Sequence, residues 1–350
     1  RSVRAPNVSE TSFPAVPNFA NGFIDPCNIN AIANGTAARV TNCQSQLSAG
    51  QLSNLQLGGY SLGVISGSNP NLLAETADSY TLGTILQPRF IPGFTLSIDY
   101  YDITVNNVIV SLAAQTIVNA CYDTPNLQSP LCNGFRRNLG TTNGANGELP
   151  GQILTNTVIQ GPQNFARRVR KGIDVEAAYR HTFGQDVALS SRVNYTHGLQ
   201  NSNYENPTIP DTENVILSEL GDPVDEFKFN ADLTVNRITF GYGMHFYGPM
   251  LTSTFENFYP NNAGVTGQTG LPLNADAIEI RKYPTVIYQN VRMNFRIGDK
   301  LQGRNELDFY VGIDNLTDRQ PPFGTTATGS GSAIYSVRGR NFYAGFKARF

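Results

Sequence analysis

Asn341-Phe342-Tyr343-Ala344-Gly345-Phe346-Lys347-Ala348-Arg349-Phe350 closes the chain, and its pattern decides the fold class. Side chains of a strand alternate between two faces. Phe342, Ala344, Phe346, Ala348 and Phe350 therefore share one face, and Tyr343, Gly345, Lys347 and Arg349 share the other. A strand buried in a parallel sheet is apolar on both faces. A strand of a membrane barrel is apolar toward lipid, polar toward the lumen and aromatic at the interface. A soluble sandwich strand produces the same alternation, so the rest of the chain has to decide between them.

The alternation recurs. Tyr80, Leu82 and Leu86 share a face in Ser79–Leu86, and Phe94, Leu96, Ile98 and Tyr100 oppose Ser97, Asp99 and Tyr101. The apolar set changes face near Tyr101-Asp102-Ile103, where a bulge or the end of the embedded segment is expected. Ile173, Val175, Ala177 and Tyr179 oppose Asp174, Glu176 and Arg180, and Val187, Leu189, Val193 and Tyr195 oppose Ser190, Arg192 and Asn194. The series continues through 227–235, 238–246, 287–297 and 307–314. Short turns join these strands in pairs: Gln87–Gly93, His181–Asp186, Asn236-Arg237 and Gly298–Arg304. Between the pairs lie long polar stretches, about 110–165, 198–224, 249–283 and 315–338, and an opening one at about 5–77 with a short helix expected near Ala37 to Leu52. Short turns at one end and long loops at the other are the mark of a transmembrane barrel, with the turns periplasmic and the loops extracellular. The polar face also takes the cations Arg192, Lys228, Arg292, Arg296, Lys347 and Arg349. One of these facing lipid at mid-membrane would cost about 2–4 kcal/mol.

Composition agrees. Of 350 residues 15 % are charged, against about a quarter in soluble domains. The net charge of −2 offers no footprint for nucleic acid. Mean hydropathy is −0.25, unlike a helical membrane protein, and the most apolar window, Val108 to Tyr122, is too short to span a bilayer. A barrel escapes such averages, because only alternate residues face lipid. The four cysteines form two local pairs in turn-rich segments, Cys27-Cys43 and Cys121-Cys132, and disulfides in an oxidising compartment are expected. His181, His197 and His245 are scattered far from them, so neither a zinc site nor a cofactor is expected. With no initiator Met and no signal peptide, the chain reads as a mature or truncated piece of a longer polypeptide.

Several segments resemble the C-terminal half of TonB-dependent outer-membrane receptors. They are Ser2-Val3-Arg4-Ala5-Pro6-Asn7, Asn69-Pro70-Asn71-Leu72, Glu75-Thr76-Ala77-Asp78-Ser79-Tyr80-Thr81-Leu82-Gly83, Ser97–Ile103, Gly172-Ile173-Asp174-Val175-Glu176, Gly312-Ile313-Asp314-Asn315-Leu316-Thr317-Asp318 and Gly339-Arg340-Asn341-Phe342-Tyr343. Leu73-Ala74 departs from the Lys-Pro common in that family. The resemblance implies an all-β transmembrane antiparallel barrel of about 22 strands around a plug, of which this chain supplies roughly ten C-terminal strands. The plug and the TonB-contacting box lie N-terminal in the family. The partners implied are therefore the N-terminal half of the same receptor, the TonB-ExbB-ExbD system, the barrel-assembly machinery and the lipopolysaccharide of a Gram-negative outer membrane. An isolated half-barrel would leave open sheet edges in lipid.

The expected function is energised uptake of a scarce nutrient, such as an iron–siderophore complex, cobalamin or an oligosaccharide. A passive porin, a ten-stranded barrel protease with an Asp/His rim, and a soluble sandwich are the alternatives. No catalytic constellation stands out. Asp174 and Glu176 read as lumen salt-bridge partners of Arg180 or Arg192, and His245 as a satisfied lumen residue. Tyr288, Arg292, Arg296 and Tyr310 project inward and are candidates for the substrate path or for plug contacts. Arg167, Arg168 and Arg170 form a basic extracellular rim that would meet an anionic substrate or lipid phosphates. In the family the terminal aromatic, here Phe350, also serves as the barrel-assembly signal. Deleting Phe350 should lower outer-membrane assembly of the full protein, as read by heat-modifiable migration in membrane fractions. Unchanged assembly would remove that role.

Overall fold

The computed structural model describes residues 1–251, 282–297, 306–322 and 334–349. The elements run β1 (Ser2–Arg4), α1 (Val8–Ser12), β2 (Val16–Phe23), α2 (Ala37–Gln46), α3 (Ala49–Ser53), β3 (Tyr60–Ser66), β4 (Glu75–Leu86), β5 (Phe94–Leu112), α4 (Ala114–Asp123) and β6 (Val158–Phe183). They continue with β7 (Val187–Tyr204), β8 (Asn214–Val215), β9 (Asp225–Val235), β10 (Ile238–Tyr247), β11 (Met250–Leu251), β12 (Lys282–Tyr283), β13 (Val286–Ile297), β14 (Glu306–Asp314) and β15 (Asn341–Arg349). Neighbouring strands follow chain order, β1-β4-β5-β6-β7-β9-β10-β13-β14-β15, which is a meander of ten strands among the described residues. Its strands pair antiparallel from β7 to β15, as do β1 and β4. The chain folds as two compact units, one built from 1–78, 104–168 and 203–214, the other from 79–103, 169–202 and 215–350.

In the second unit the registers line up whole rungs. One face carries Leu189, Leu233, Phe240, Met293, Val311 and Ala344 directly opposite one another, strand to strand. The next rung is Val187, Val235, Ile238, Phe295, Phe309 and Phe346. Opposed residues share a face, so these rungs form one continuous apolar surface. It is open: Phe342 and Phe346 are each 69 % exposed. A slip of one residue on any strand would send its cations to that surface, so burial on one side pins the register. The tight turn between β9 and β10 needs a left-handed residue, and Asn236 supplies it at φ 53°. The turn expected at 298–304 lies outside the described residues apart from its flanks.

The first unit corrects the expectation of long structureless loops. The stretches 5–77 and 110–165 build a small domain with its own core: Phe23, Leu47, Leu55, Leu62, Val64, Ile117, Val118 and Tyr122 are buried together. Helix α4 buries Ala114, Ile117, Val118, Cys121 and Tyr122, the spacing of one helical face. The apolar window Val108–Tyr122 is thus half strand and half helix. The helix expected over Ala37–Leu52 is two helices, because Ser48 stops the first and caps the second: its side chain accepts from the Gln51 amide while Gln51 reaches back. Strand β5 runs on past the change of face at Tyr101–Ile103 to Leu112, and β6 begins well before Gly172. The period-two pattern missed these extensions because Asn107, at φ 55°, interrupts the alternation of β5, and buried positions of β6 before Gly172 do not recur at every second residue.

Strand β3 pairs with β2 on one side and, in parallel, with β6 on the other. Gly63 accepts from the Asn156 amide and Gly67 donates to Gln160, so odd positions of β3 face β6 and even positions face β2. Pro17 and Phe19 of β2 therefore point to its open edge. Pro17 has no N–H, and the Phe19 N–H is taken by the Asn18 side chain at 2.8 Å. Two donors of that edge are thereby removed, which disfavours strand addition there.

Two disulfides tie this unit, Cys27–Cys43 and Cys121–Cys132, closing loops of 16 and 11 residues. At its centre Arg137 meets Asp25 at 2.8 Å, both side chains 2 % exposed, and also donates to the Tyr122 hydroxyl and the Gly151 carbonyl. Burial opposes the charge on Arg137, but Asp25 and Tyr122 more than restore it, and its pKa is raised. Glu148 ties 144–155 together, its carboxylate accepting from the amides of Asn146 and Thr155. Burial works against that charge too, yet those amides hold its pKa down to about 2.

Two outcomes are expected. Asp25→Ala leaves a buried guanidinium unpaired and should cost this unit about 3–5 kcal/mol, whereas replacing both partners with apolar residues of similar volume should cost far less. Proteolysis of 104–168 in the intact protein reads the difference. Because the folded pKa of Glu148 lies below its ordinary value of 4.5, its stabilisation is complete above pH 4.5 and is lost as pH falls toward 2. Glu148→Gln should flatten the stability profile across that window, measured by the same proteolysis.

Candidate functional site: the polar face and the motif clamps

The face opposite the apolar rungs carries the chemistry of the second unit. Arg292 holds both oxygens of Asp232 at 2.9 Å, Arg296 meets Asp308 at 3.2 Å, and Arg192 meets Glu176 at 3.5 Å. Glu226 joins Lys228 at 3.3 Å and His245 at 2.6 Å, so His245 is a satisfied member of a network. Asp174 accepts from Thr196 at 2.7 Å. Most of these side chains are about half exposed, and such pairs are worth roughly 0–1 kcal/mol each. They place charge on a wet wall at little cost and exchange partners easily.

Small residues shape that wall. The Tyr343 ring lies over Gly312, where an added Cβ would come within 2.3 Å of it, and the Tyr310 ring lies over Gly345 at 2.4 Å from the corresponding Cβ position. The two rings are 6.3 Å apart. Each tyrosine thus fills the space its glycine leaves. Beside them a cleft of about 220 Å³ is lined by Asn230, Asp232, Gly241, Gly243, Asn290 and Arg292. Its wall of carboxamides and one bidentate ion pair suits a polar or charged group.

Of the candidates read from sequence, Arg292, Arg296 and Tyr310 share this face on adjacent strands. Tyr288 lies on the same face but is 8 % exposed, packed with Tyr247, Met250, Val286 and Tyr335, and its hydroxyl accepts from the Ser336 amide. Arg168 meets Glu205 at 2.7 Å, while Arg167 lies 4.1 Å over the Tyr204 ring and 3.7 Å from Asp211. In the other unit Arg170 meets Asp222 at 3.1 Å. Phe350 lies outside the described residues. His197 and Tyr195 both reach one oxygen of Asp225, at 2.7 and 2.6 Å. They stand on the parity of the apolar face, beside Phe227, and not on the polar wall.

The recurring motifs prove to be clamps, a role that spacing alone did not reveal. Arg4 makes a two-pronged pair with Glu75 at 2.7 Å, and Glu75 also accepts from the Ile109 amide. Asn69 donates to the Pro162 carbonyl and accepts from the Asn71 amide, fixing the Asn69–Leu72 turn. Asn315, 5 % exposed, donates to the Arg319 and Arg338 carbonyls and accepts from the Arg319 amide. Asp318 accepts from the Arg340 amide, directly before β15. Residues far apart in sequence are joined by the same few side chains.

A family model described as TonB dependent receptor-like, beta-barrel, matches residues 1–316. The chain belongs to that family. Comparison with curated proteins finds no match. Similar solved structures include the siderophore receptor PirA from Acinetobacter baumannii, with TM-score 0.48 and 14 % identity over 81 % of this chain and 33 % of that one. A mutant of the ferric enterobactin receptor PfeA from Pseudomonas aeruginosa has TM-score 0.48 and 16 % identity over 82 % of this chain and 33 % of that one. The siderophore receptor PirA from Pseudomonas aeruginosa has TM-score 0.41 and 14 % identity, covering 100 % of this chain and 38 % of that one. The chain thus spans about a third of the length of these structures. No helix among the described residues is long and apolar enough to cross a membrane, which says nothing of crossing by strands.

Gly312→Val would push the Tyr343 ring off the β14–β15 pair and is expected to destabilise it by about 1–3 kcal/mol. Gly312→Val with Tyr343→Ala should recover part of that loss. The unfolding temperature of the purified receptor, heated in detergent, measures both.

Proposed function

We propose that this chain is the C-terminal part of the barrel of a TonB-dependent receptor and serves active uptake across the outer membrane. The family match over 1–316 carries that reading, and the two-faced sheet supports it. The apolar rungs face lipid, and the ion-paired wall with its 220 Å³ cleft faces the lumen. Energy comes from the TonB-ExbB-ExbD system, acting through a plug carried by the preceding part of the same receptor. The barrel-assembly machinery inserts the strands, and lipopolysaccharide surrounds them. The substrate is a nutrient too scarce or too large for passive entry, in the class of iron–siderophore complexes, cobalamin or oligosaccharides.

The weak ion pairs of the wall suit this role. Pairs worth so little are broken and remade as a plug shifts or a solute passes, without loss of the barrel. Arg292, Arg296 and Tyr310 supply donors along that path, whereas Tyr288 is packed away with Tyr247, Met250, Val286 and Tyr335. Cells carrying the intact gene should accumulate at least one of a panel of ferric siderophores, cobalamin and maltodextrins, and lose that uptake when TonB is deleted. Uptake that persists without TonB would replace this reading with a passive pore.

A further inference from the structure

The apolar face of the second unit ends on a definite rung. From Val187, Val235 and Ile238 the rungs stay apolar, apart from Ser191 and from Gln289, which is bonded to the Tyr242 hydroxyl. The last apolar rung is aromatic: Tyr195 faces Phe227, and Phe227 stacks on Phe246 with ring centroids 4.8 Å apart. One step beyond, on the same parity, chemistry changes. His197 stands opposite Asp225 and bonds to it, and Tyr195 turns its hydroxyl toward the same oxygen. Two strands away Lys171 pairs with Asp102 at 3.0 Å. Asp102 lies where the pattern of β5 changes face, so that change marks a boundary of environment. Strand β5 continues unbroken through it to Leu112.

The height agrees. From Asp225 to Val235 strand β9 runs about 34 Å at the usual rise per residue. Tilted as barrel strands are, it spans about 26 Å, against an apolar band of about 25 Å. Stopping at Phe227 would leave the band about 5 Å short.

We infer that the outer edge of the bilayer hydrocarbon meets this protein between the Phe227–Phe246 rung and the His197–Asp225 pair, which lies in the headgroup layer, as does the Asp102–Lys171 pair. This rests on the outer-membrane reading above. The occupant of the apolar face is the acyl layer of a lipid bilayer. A charged pair below that line would cost several kcal/mol, and a phenylalanine rung above it would sit in water. Tyr195 spans the line, with its ring among apolar neighbours and its hydroxyl bonded to Asp225.

All four cysteines are disulfide-bonded, so single added thiols can carry a spin label. The intact receptor, reconstituted in phosphatidylcholine vesicles, would carry a label at Phe227, Phe229, Leu233 or Asp225, one at a time. Asn230 serves as the polar-face control. Collisions with oxygen should dominate at Phe227, Phe229 and Leu233, and collisions with a water-soluble nickel complex at Asp225. Because Asp225→Cys removes a hydrogen-bonded carboxylate, Lys171→Cys reads the headgroup side of the line on another strand. Oxygen dominance at both Asp225 and Lys171, or nickel dominance at Phe227, overturns the boundary while leaving the membrane reading intact. Nickel dominance at Phe229 and Leu233 as well overturns both.

Discussion

Between neighbouring strands of the meander, backbone donors and acceptors satisfy one another, while successive side chains enter two different surroundings. That double requirement governs the molecule. A rung such as Phe295, Phe309 and Phe346 is apolar because all three lie on one side of the sheet. The intervening rung, Arg296, Asp308 and Lys347, is charged for the same reason. Register cannot drift, since a slip of one position would exchange the two sets. In a medium without water, only strands fully paired in this way, or helices, cross.

Stability is divided unequally. Among its described residues the second unit has little internal core besides a tyrosine cluster around Tyr247, Tyr288 and Tyr335, and its order comes from the ladders and from side chains lying over glycine. The first unit is organised like a small secreted domain: a compact apolar core, two disulfides and one buried ion pair. Disulfides suit a domain whose core is small, since each limits the unfolded chain, in the loop-entropy account by about 3 kcal/mol for loops of this size. The donor-poor edge of β2 belongs to the same economy, keeping an exposed strand from pairing with another chain.

Much of the barrel was legible because its rule is local. Alternation at Phe227–Val235 or Ile287–Ile297 needs only two residues of memory, and the turns between strands are short. The place of His245 on the charged face and the ion pairing of Arg192 with Glu176 followed from parity alone. The clamps were not legible. Arg4 and Glu75 stand 71 positions apart, and Asn315 reaches Arg338 across 23, so nothing in either segment names its partner. The packed state of Tyr288 was hidden for the same reason: its neighbours come from β10, from Met250 and from the segment before β15. The small domain was missed because its strands show no period: β2 is exposed over most of its length, and β3 buries Leu62, Gly63 and Val64 in succession.

By itself the sequence determined the class of sheet, its two faces, the side that bears charge and the local cysteine pairs, because each depends on side-chain order along a few residues. Tertiary structure decided what the long connections are, which carboxylate each arginine meets, and what the recurring motifs hold together. Those outcomes depend on segments that lie far apart in the chain and meet only in the folded protein. There an Asp25 or an Asn315 finds, far along the chain, the partner that its burial requires.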